Sequence, residues 1–132
     1  MAPLDRLVGT WQFTMHHVAL PEPVTGVQRY ERVLDGAFLR LNWTYDHPDF
    51  PNAIAMLDER TCHYFDVRGI SRVFDLSVDD TGWSMIRRAA DFWQRSSATF
   101  RDTDAMEGSG ENSYDSGATW EHDFTISYRR VE

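Results

Sequence analysis

Hydrophobic and polar side chains alternate along the chain, and the alternation is clearest at its two ends. Residues 8–18 place four residues on one side of the run. These are Gly9, Trp11, Phe13 and Met15. Residues 118–131 place five residues on one side. These are Trp120, His122, Phe124, Ile126 and Tyr128. Because a period of two puts successive side chains on opposite faces of a strand, both runs are predicted to be β-strands with one apolar face.

Eight further alternating runs lie between the two ends, which predicts about ten strands. The ten runs span residues 8–18, 27–34, 37–45, 53–57, 62–67, 70–78, 83–87, 92–101, 105–114 and 118–131. Turn residues separate them, and Asp35-Gly36 is the strongest hairpin signal. Residues 3–7 predict one short helical turn, and residues 47–52 predict a loop because they contain two prolines. Residues 107–115 are polar and glycine-rich, which fits either a loop or a kinked strand.

This spacing of short strands is typical of an antiparallel up-and-down barrel or of a sandwich. The two terminal runs decide between them. Edge strands of a sandwich are usually shortened, charged or broken by proline, and neither terminal run has these features. The sequence therefore predicts that the first and last strands pair and close a barrel. A chain of 132 residues has room for one core, so residues 1–132 are predicted to form a single domain.

Composition excludes several classes of function. The net charge is −8, all 13 basic residues are arginines, and there is no lysine. This argues against nucleic-acid binding and excludes Schiff-base or P-loop lysine chemistry. Cys62 is the single cysteine, so no internal disulfide and no multi-cysteine zinc site is expected. No apolar run approaches the length of a membrane helix and the start does not resemble a signal peptide, so we expect no membrane partner and a cytoplasmic location.

Gly9-Thr10-Trp11 on the first strand and Tyr128-Arg129-Arg130-Val131 on the last resemble the calycin group, which includes lipocalins, fatty-acid-binding proteins and nitrobindin-type haem barrels. The whole chain is similar to a bacterial family of small calycin-like barrels. The matching stretches are residues 7–11, 33–40, 64–69 and 117–124. The resemblance implies a closed calycin-like β-barrel in which Gly9, Trp11 and Arg130 close one end. Trp11 would stack under the Arg130 guanidinium, a favourable contact.

The last strand departs from the fatty-acid-binding proteins, which carry an inward Arg-x-Tyr that grips a carboxylate. Aligning their Tyr with Tyr128 puts Ile126 at the Arg position, so the usual clamp is missing. Arg72 lies on the apolar parity of its own strand, where an unpaired guanidinium would be costly. We expect Arg72 to pair with a carboxylate, to meet an anionic ligand or to lie at the wet rim.

Residues on the inward parity define a candidate ligand site. They are Phe13, Met15, Tyr64, Arg72, Phe74, Met85, His122, Phe124 and Tyr128. The resemblance and the apolar face together favour a small-molecule-binding barrel that holds an apolar or aromatic ligand in its interior, with no cofactor and no metal. Whether the interior is a cavity or is packed solid stays open at this point.

Three alternatives remain. Nitrobindin-type barrels take a proximal histidine from the late part of the chain, which would make His122 the ligand of a bound haem. A cofactor-free isomerase or cyclase would use the barrel as a dry pocket, although no acid/base pair is evident, so a binding protein is favoured over an enzyme. An interaction protein that forms a homodimer through a barrel face would need no ligand.

Overall fold

The computed structural model describes residues 2–132 as a closed barrel of ten antiparallel strands that follows a short 3₁₀ helix, Ala2–Leu7. The strands are β1 (Gly9–His17), β2 (Val24–Val33), β3 (Phe38–Tyr45), β4 (Ala53–Leu57), β5 (Thr61–Asp66), β6 (Ser71–Val78), β7 (Gly82–Arg87), β8 (Trp93–Asp102), β9 (Ala105–Ser113) and β10 (Glu121–Arg130). The predicted fold class is confirmed, including the single helical turn before the first strand.

Each strand pairs with its neighbours in the chain, and β1 pairs with β10 to close the barrel. In this closing pair Trp11 lies opposite Arg130 and His17 lies opposite Phe124. The alternation explains the arrangement, because most of the large apolar residues of the strands point inward and most of the polar ones point outward. Closure leaves none of the ten strands with a free hydrogen-bonding edge.

The turns lie close to the predicted positions, but some strand bounds differ: β2 begins at Val24, before the predicted residue 27, and β10 begins at Glu121, after the predicted residue 118. The β2–β3 connection contains Asp35-Gly36 but extends over residues 34–37, where Leu34, Asp35 and Gly36 all have positive φ (53°, 58° and 82°). Residues 47–52 form a loop without regular structure, as expected. The glycine-rich segment near residue 110 belongs to strand β9, which decides between the two alternatives left by the sequence.

A β-bulge changes the facing of residues in β10. His122 lies opposite Glu111, whereas Phe124 lies opposite Gly110, so Asp123 is an extra residue in β10. A one-residue shift moves every side chain beyond it to the other face. His122 is consequently exposed, and Asp123 takes the inward position. The expectation that His122 shares the inward face of Phe124 is wrong for this reason.

Within the described residues, the structure contains no helix with the length and apolar character that crossing a bilayer requires.

Candidate ligand cavity

The closed end of the barrel is packed around Trp11. Its side chain is fully buried (0% exposed), in one cluster with Leu4 and Leu7 of the 3₁₀ helix. The indole Nε1–H donates to the carbonyl oxygen of Leu7 at 2.9 Å. The helix therefore seals this end from below, and Trp11 forms the floor of the interior.

Arg130 lies on the same floor. Its guanidinium carbon is 4.2 Å from the centroid of the Trp11 ring, and its Nη atoms donate to the carbonyl oxygens of Arg6 and Val8. Gly9 has a φ of 126°, and a Cβ there would come within 2.8 Å of Arg130 Nη1. Only glycine adopts this conformation and leaves this space. The structure thus brings Gly9, Trp11 and Arg130 together at the closed end.

Above the floor the barrel encloses a cavity of about 340 Å³. This volume is in the range of pockets that hold small ligands. Small residues of β8 and β9 belong to the lining and take up little of the space; they are Ser96, Ser97 and Ser109. Most residues predicted from parity line the cavity. They are Met15, Tyr64, Arg72, Phe74, Met85, Phe124 and Tyr128.

Two predicted site residues lie elsewhere. Phe13 is buried (2% exposed) and packs behind the cavity wall, with its ring centroid 5.4 Å from that of Tyr45 and 6.4 Å from that of Tyr128. His122 is exposed beyond the bulge, on the outer side of the barrel. Phe13 therefore supports the residues that line the cavity, and His122 has no position from which to reach it.

An aromatic stack near the open end was not included in the prediction. Trp43 stacks on Tyr45 (5.6 Å between centroids, 26° between planes), and Tyr45 stacks on Phe50 (5.2 Å, 28°). Tyr64 meets the Trp43 ring edge-on at 6.1 Å. The parity of β3 was sufficient to find Trp43 and Tyr45. Phe50 comes from the β3–β4 loop, where alternation carries no information.

Two indole groups of the lining have unused hydrogen-bond donors. In the part of the chain that the structure describes, the Nε1–H groups of Trp43 and Trp83 are buried and have no acceptor. Both residues line the cavity. Such groups usually find a partner when buried, because an unmade hydrogen bond costs about 1–3 kcal/mol. A ligand that carries acceptor atoms would fit this surplus of donors.

Tyr64, Asp66 and Arg68 form a fixed network at the open end. The Tyr64 hydroxyl donates to Asp66 Oδ2 at 2.8 Å, and Arg68 Nη2 donates to the same oxygen at 2.6 Å. The hydrogen bonds from Arg68 hold the pKa of Asp66 well below its usual range. Burial and the Asp66 carboxylate raise the pKa of Tyr64 to about 12. At neutral pH the network is therefore an ionised carboxylate between two donors.

Arg72 of β6 lines the same side of the cavity, opposite Tyr64 in register. Its Nη1 donates to Gln94 Oε1 at 3.3 Å, and its guanidinium carbon is 5.4 Å from the Phe92 ring centroid. Among residues 2–132 it has no carboxylate partner. The first of the three expectations for Arg72, a carboxylate pair, is thus not what the structure contains.

His17 and Asp123 join β1 to β10 at the open end. His17 Nε2 lies 3.0 Å from Asp123 Oδ1, and its Nδ1 accepts the Ala19 backbone N–H at 3.1 Å. Because Nδ1 accepts a hydrogen bond, the neutral ring carries its proton on Nε2 and donates it to Asp123. Both ring nitrogens therefore have hydrogen-bond partners, and the pair links the side chains of β1 and β10.

These positions test the expectation of a haem ligand. His122 faces outward, and the His17 nitrogens are both occupied by protein partners. The residues at the cavity thus do not fit a haem that needs a proximal imidazole. Cys62 lines the cavity but is buried, and burial raises the pKa of its thiol to about 12, so it is protonated and unreactive.

No protein-family model and no curated protein matches this chain. Among solved structures, the chain resembles the S-type phycobiliprotein lyase CPES from Guillardia theta, with a TM-score of 0.59 and 13% sequence identity. The match covers 98% of this chain and 90% of the lyase. It also resembles EF1p2_mFAP2b, solved bound to DFHBI, with a TM-score of 0.49 and 10% identity over 97% of this chain and 96% of the other.

The likeness to the lyase shows a shared fold. At such low identity it does not extend to any particular residue of the cavity. The expected membership of a bacterial calycin-like family stays a prediction, because it rests on short sequence stretches alone.

Proposed function

We propose that this protein binds a small apolar or aromatic molecule inside its barrel. The observation that carries the proposal is the cavity of about 340 Å³ above a sealed floor. A barrel selected only for stability would fill its interior with side chains, because close packing gains dispersion energy and leaves few voids. Here small residues of β8 and β9, which include Ser96 and Ser109, line the space and do not fill it.

The chemistry of the lining indicates the kind of ligand. Aromatic rings and methionines form much of the wall. They include Trp43, Tyr45, Phe74, Trp83, Met15 and Met85. Flat rings stack on aromatic walls, and thioethers adapt to irregular apolar shapes. The few polar groups at the open end then orient the ligand, which is the usual division of labour in small-molecule pockets.

Binding of N-phenyl-1-naphthylamine tests the proposal, because this neutral aromatic probe fluoresces when it leaves water. We expect a saturable rise in fluorescence with one site per protein. Native mass spectrometry of the purified protein checks independently for a molecule retained from the cell. Absence of saturable binding by the probe, with no retained molecule, would overturn the proposal.

A matched pair of variants locates the site. Ser96→Phe adds a ring inside the cavity, since Ser96 is one of the residues that line it. Thr99→Phe adds the same ring to the outer face of the same strand, where Thr99 is exposed. We expect the first variant to lose most of the probe affinity and the second to keep it. Equal affinity in the two folded variants would place the probe outside the barrel and contradict the proposal.

A further inference from the structure

Three arginines line the cavity, and two of them have carboxylate partners. The pairs are Arg68–Asp66 (2.6 Å) and Arg95–Glu111 (2.9 Å). The third, Arg72, donates only to the neutral side-chain oxygen of Gln94 at 3.3 Å. Within residues 2–132 it is thus the cavity-lining arginine whose charge no acidic side chain balances.

The lack of a carboxylate partner is costly because of where Arg72 lies. It is half-buried on the inward face of β6, where a cation loses part of its hydration. A neutral amide and the Phe92 ring compensate for this only in part. A planar guanidinium is best matched by an oxyanion, whose two oxygens accept parallel N–H bonds. The Gln94 amide, also in the cavity lining, supplies further donors beside it.

The aromatic stack ends beside this arginine. Phe50, Tyr45 and Trp43 stack in sequence, and Tyr64 follows edge-on against Trp43. Arg72 lies next to Tyr64, directly opposite it in the β5–β6 pair. A ligand whose ring lies against the stack would therefore place a substituent within reach of the guanidinium.

The other charged residues of the cavity lining do not offer a second site for an anion. Glu111 pairs with Arg95. The other two carboxylates of the lining, Asp49 and Asp123, lie near Phe50, at the end of the aromatic stack opposite to Arg72. The unused Nε1–H donors of Trp43 and Trp83 also favour a ligand with acceptor atoms. The chain as a whole carries a net charge of −8, so attraction of an anion must come from this local site.

We propose that the ligand is an aromatic oxyanion, such as an aromatic carboxylate or sulfonate, whose charged group binds Arg72 while its ring lies against the aromatic stack. This rests on the proposed function, since it needs the barrel to bind a ligand at all. It assigns the specificity of the cavity to one residue. The last strand of this chain does not supply such a group, since Ile126 stands where fatty-acid-binding proteins carry the arginine of their carboxylate clamp.

Two fluorescent probes that differ by one sulfonate test the inference. N-phenyl-1-naphthylamine is neutral, and 8-anilinonaphthalene-1-sulfonate is its anionic counterpart. Their dissociation constants are measured with the full chain and with Arg72→Gln, which keeps polarity and removes the charge. We expect Arg72→Gln to weaken binding of the anionic probe about tenfold or more and to leave binding of the neutral probe within about twofold. Unchanged binding of the neutral probe also shows that the variant is folded.

Two further variants serve as controls. Arg88→Gln removes the same charge from an exposed arginine that pairs with Asp75 outside the cavity, and it should change neither affinity. Arg72→Lys keeps the charge without the planar fork, and it should restore part of the anionic probe's affinity.

The outcomes separate the two proposals. If the neutral probe binds in the cavity but Arg72→Gln leaves the anionic probe unaffected, the oxyanion inference is overturned and the binding function stands. If Arg88→Gln weakens binding of the anionic probe as much as Arg72→Gln does, the loss reflects the net charge of the protein and not a contact with Arg72. The inference is then likewise overturned. If neither probe binds the unmodified protein, the proposed function fails and the inference fails with it.

Discussion

The two ends of this barrel differ in how completely their polar groups are satisfied. At the closed end, the Trp11 indole and the Arg130 guanidinium donate to backbone carbonyls of the N-terminal segment. At the open end, Arg72 has a neutral partner and the Trp43 indole has no acceptor among the described residues. The closed end is a packed core with satisfied hydrogen bonds, whereas the open end has, within residues 2–132, hydrogen-bond donors without acceptors and an unfilled cavity. We therefore expect stability to depend on the closed end and ligand binding on the open end.

The largest expected effect is at the floor. Trp11→Ala removes a fully buried ring and leaves a cavity beneath the barrel, so we expect a loss of about 3–5 kcal/mol in the free energy of unfolding. Denaturant titration measures it. Trp120→Ala is the control, because Trp120 is half-buried outside the strands and packs against Arg95. Similar losses for the two variants would contradict the distinction between the floor and the periphery.

Arg130→Met should come next. It removes charge-assisted hydrogen bonds to the carbonyl oxygens of Arg6 and Val8 and leaves these acceptors without a partner. We expect a loss of about 2–3 kcal/mol in unfolding free energy. The neighbouring Arg129→Met, on the exposed outer face, should cost little. A negligible loss for Arg130→Met would mean that the floor is held by apolar packing alone.

Acid should weaken the open end through Asp66. Because its pKa is depressed in the folded state, its contribution is fully present above the unfolded value of about 4 and is lost as pH falls through the folded pKa. Asp66→Asn should therefore be less stable at pH 7, by less than Arg130→Met. The difference from the unmodified chain should shrink below about pH 4. Parallel stability curves for the two proteins between pH 7 and pH 2 would refute this.

The smallest change in stability is expected for Gly110→Ala. A Cβ there would lie 2.2 Å from the Phe124 ring, but Phe124 borders the cavity and has room to move into it. We expect a stability loss below about 1 kcal/mol and a several-fold weaker affinity for the neutral probe. Gly26→Ala is the contrasting variant, since its Cβ would meet the Thr44 backbone oxygen at 2.2 Å. It should cost about 1–3 kcal/mol, and a reversed order would show that the cavity wall is rigid.

Much of the fold follows from local patterns. Alternation along β1 and β10 was sufficient to predict both strands, their pairing and the inward face of β1, and the calycin resemblance predicted that Trp11 and Arg130 meet. Turn residues placed the connections, and most of the residues that parity assigned to the interior line the cavity, including Tyr64 and Arg72. Period two is a property of the chain itself, so it can be read without knowledge of the partner strand.

Other features depend on contacts between strands. The bulge at Asp123 arises from the pairing of β10 with β9, and it moves His122 out of the interior against its parity. Phe50 reaches the aromatic stack from a loop that has no alternation. The missing carboxylate beside Arg72 becomes evident only when β6 and β8 are brought together, where Gln94 is its partner.

The sequence by itself thus determined a closed ten-stranded barrel with a largely apolar lining, because alternation and turn chemistry are local. Only the tertiary structure decided that the interior contains a cavity and that Arg72, in the cavity lining, has no carboxylate partner among the described residues. Both properties depend on side chains that are distant along the chain and meet across the barrel, so no local pattern records them.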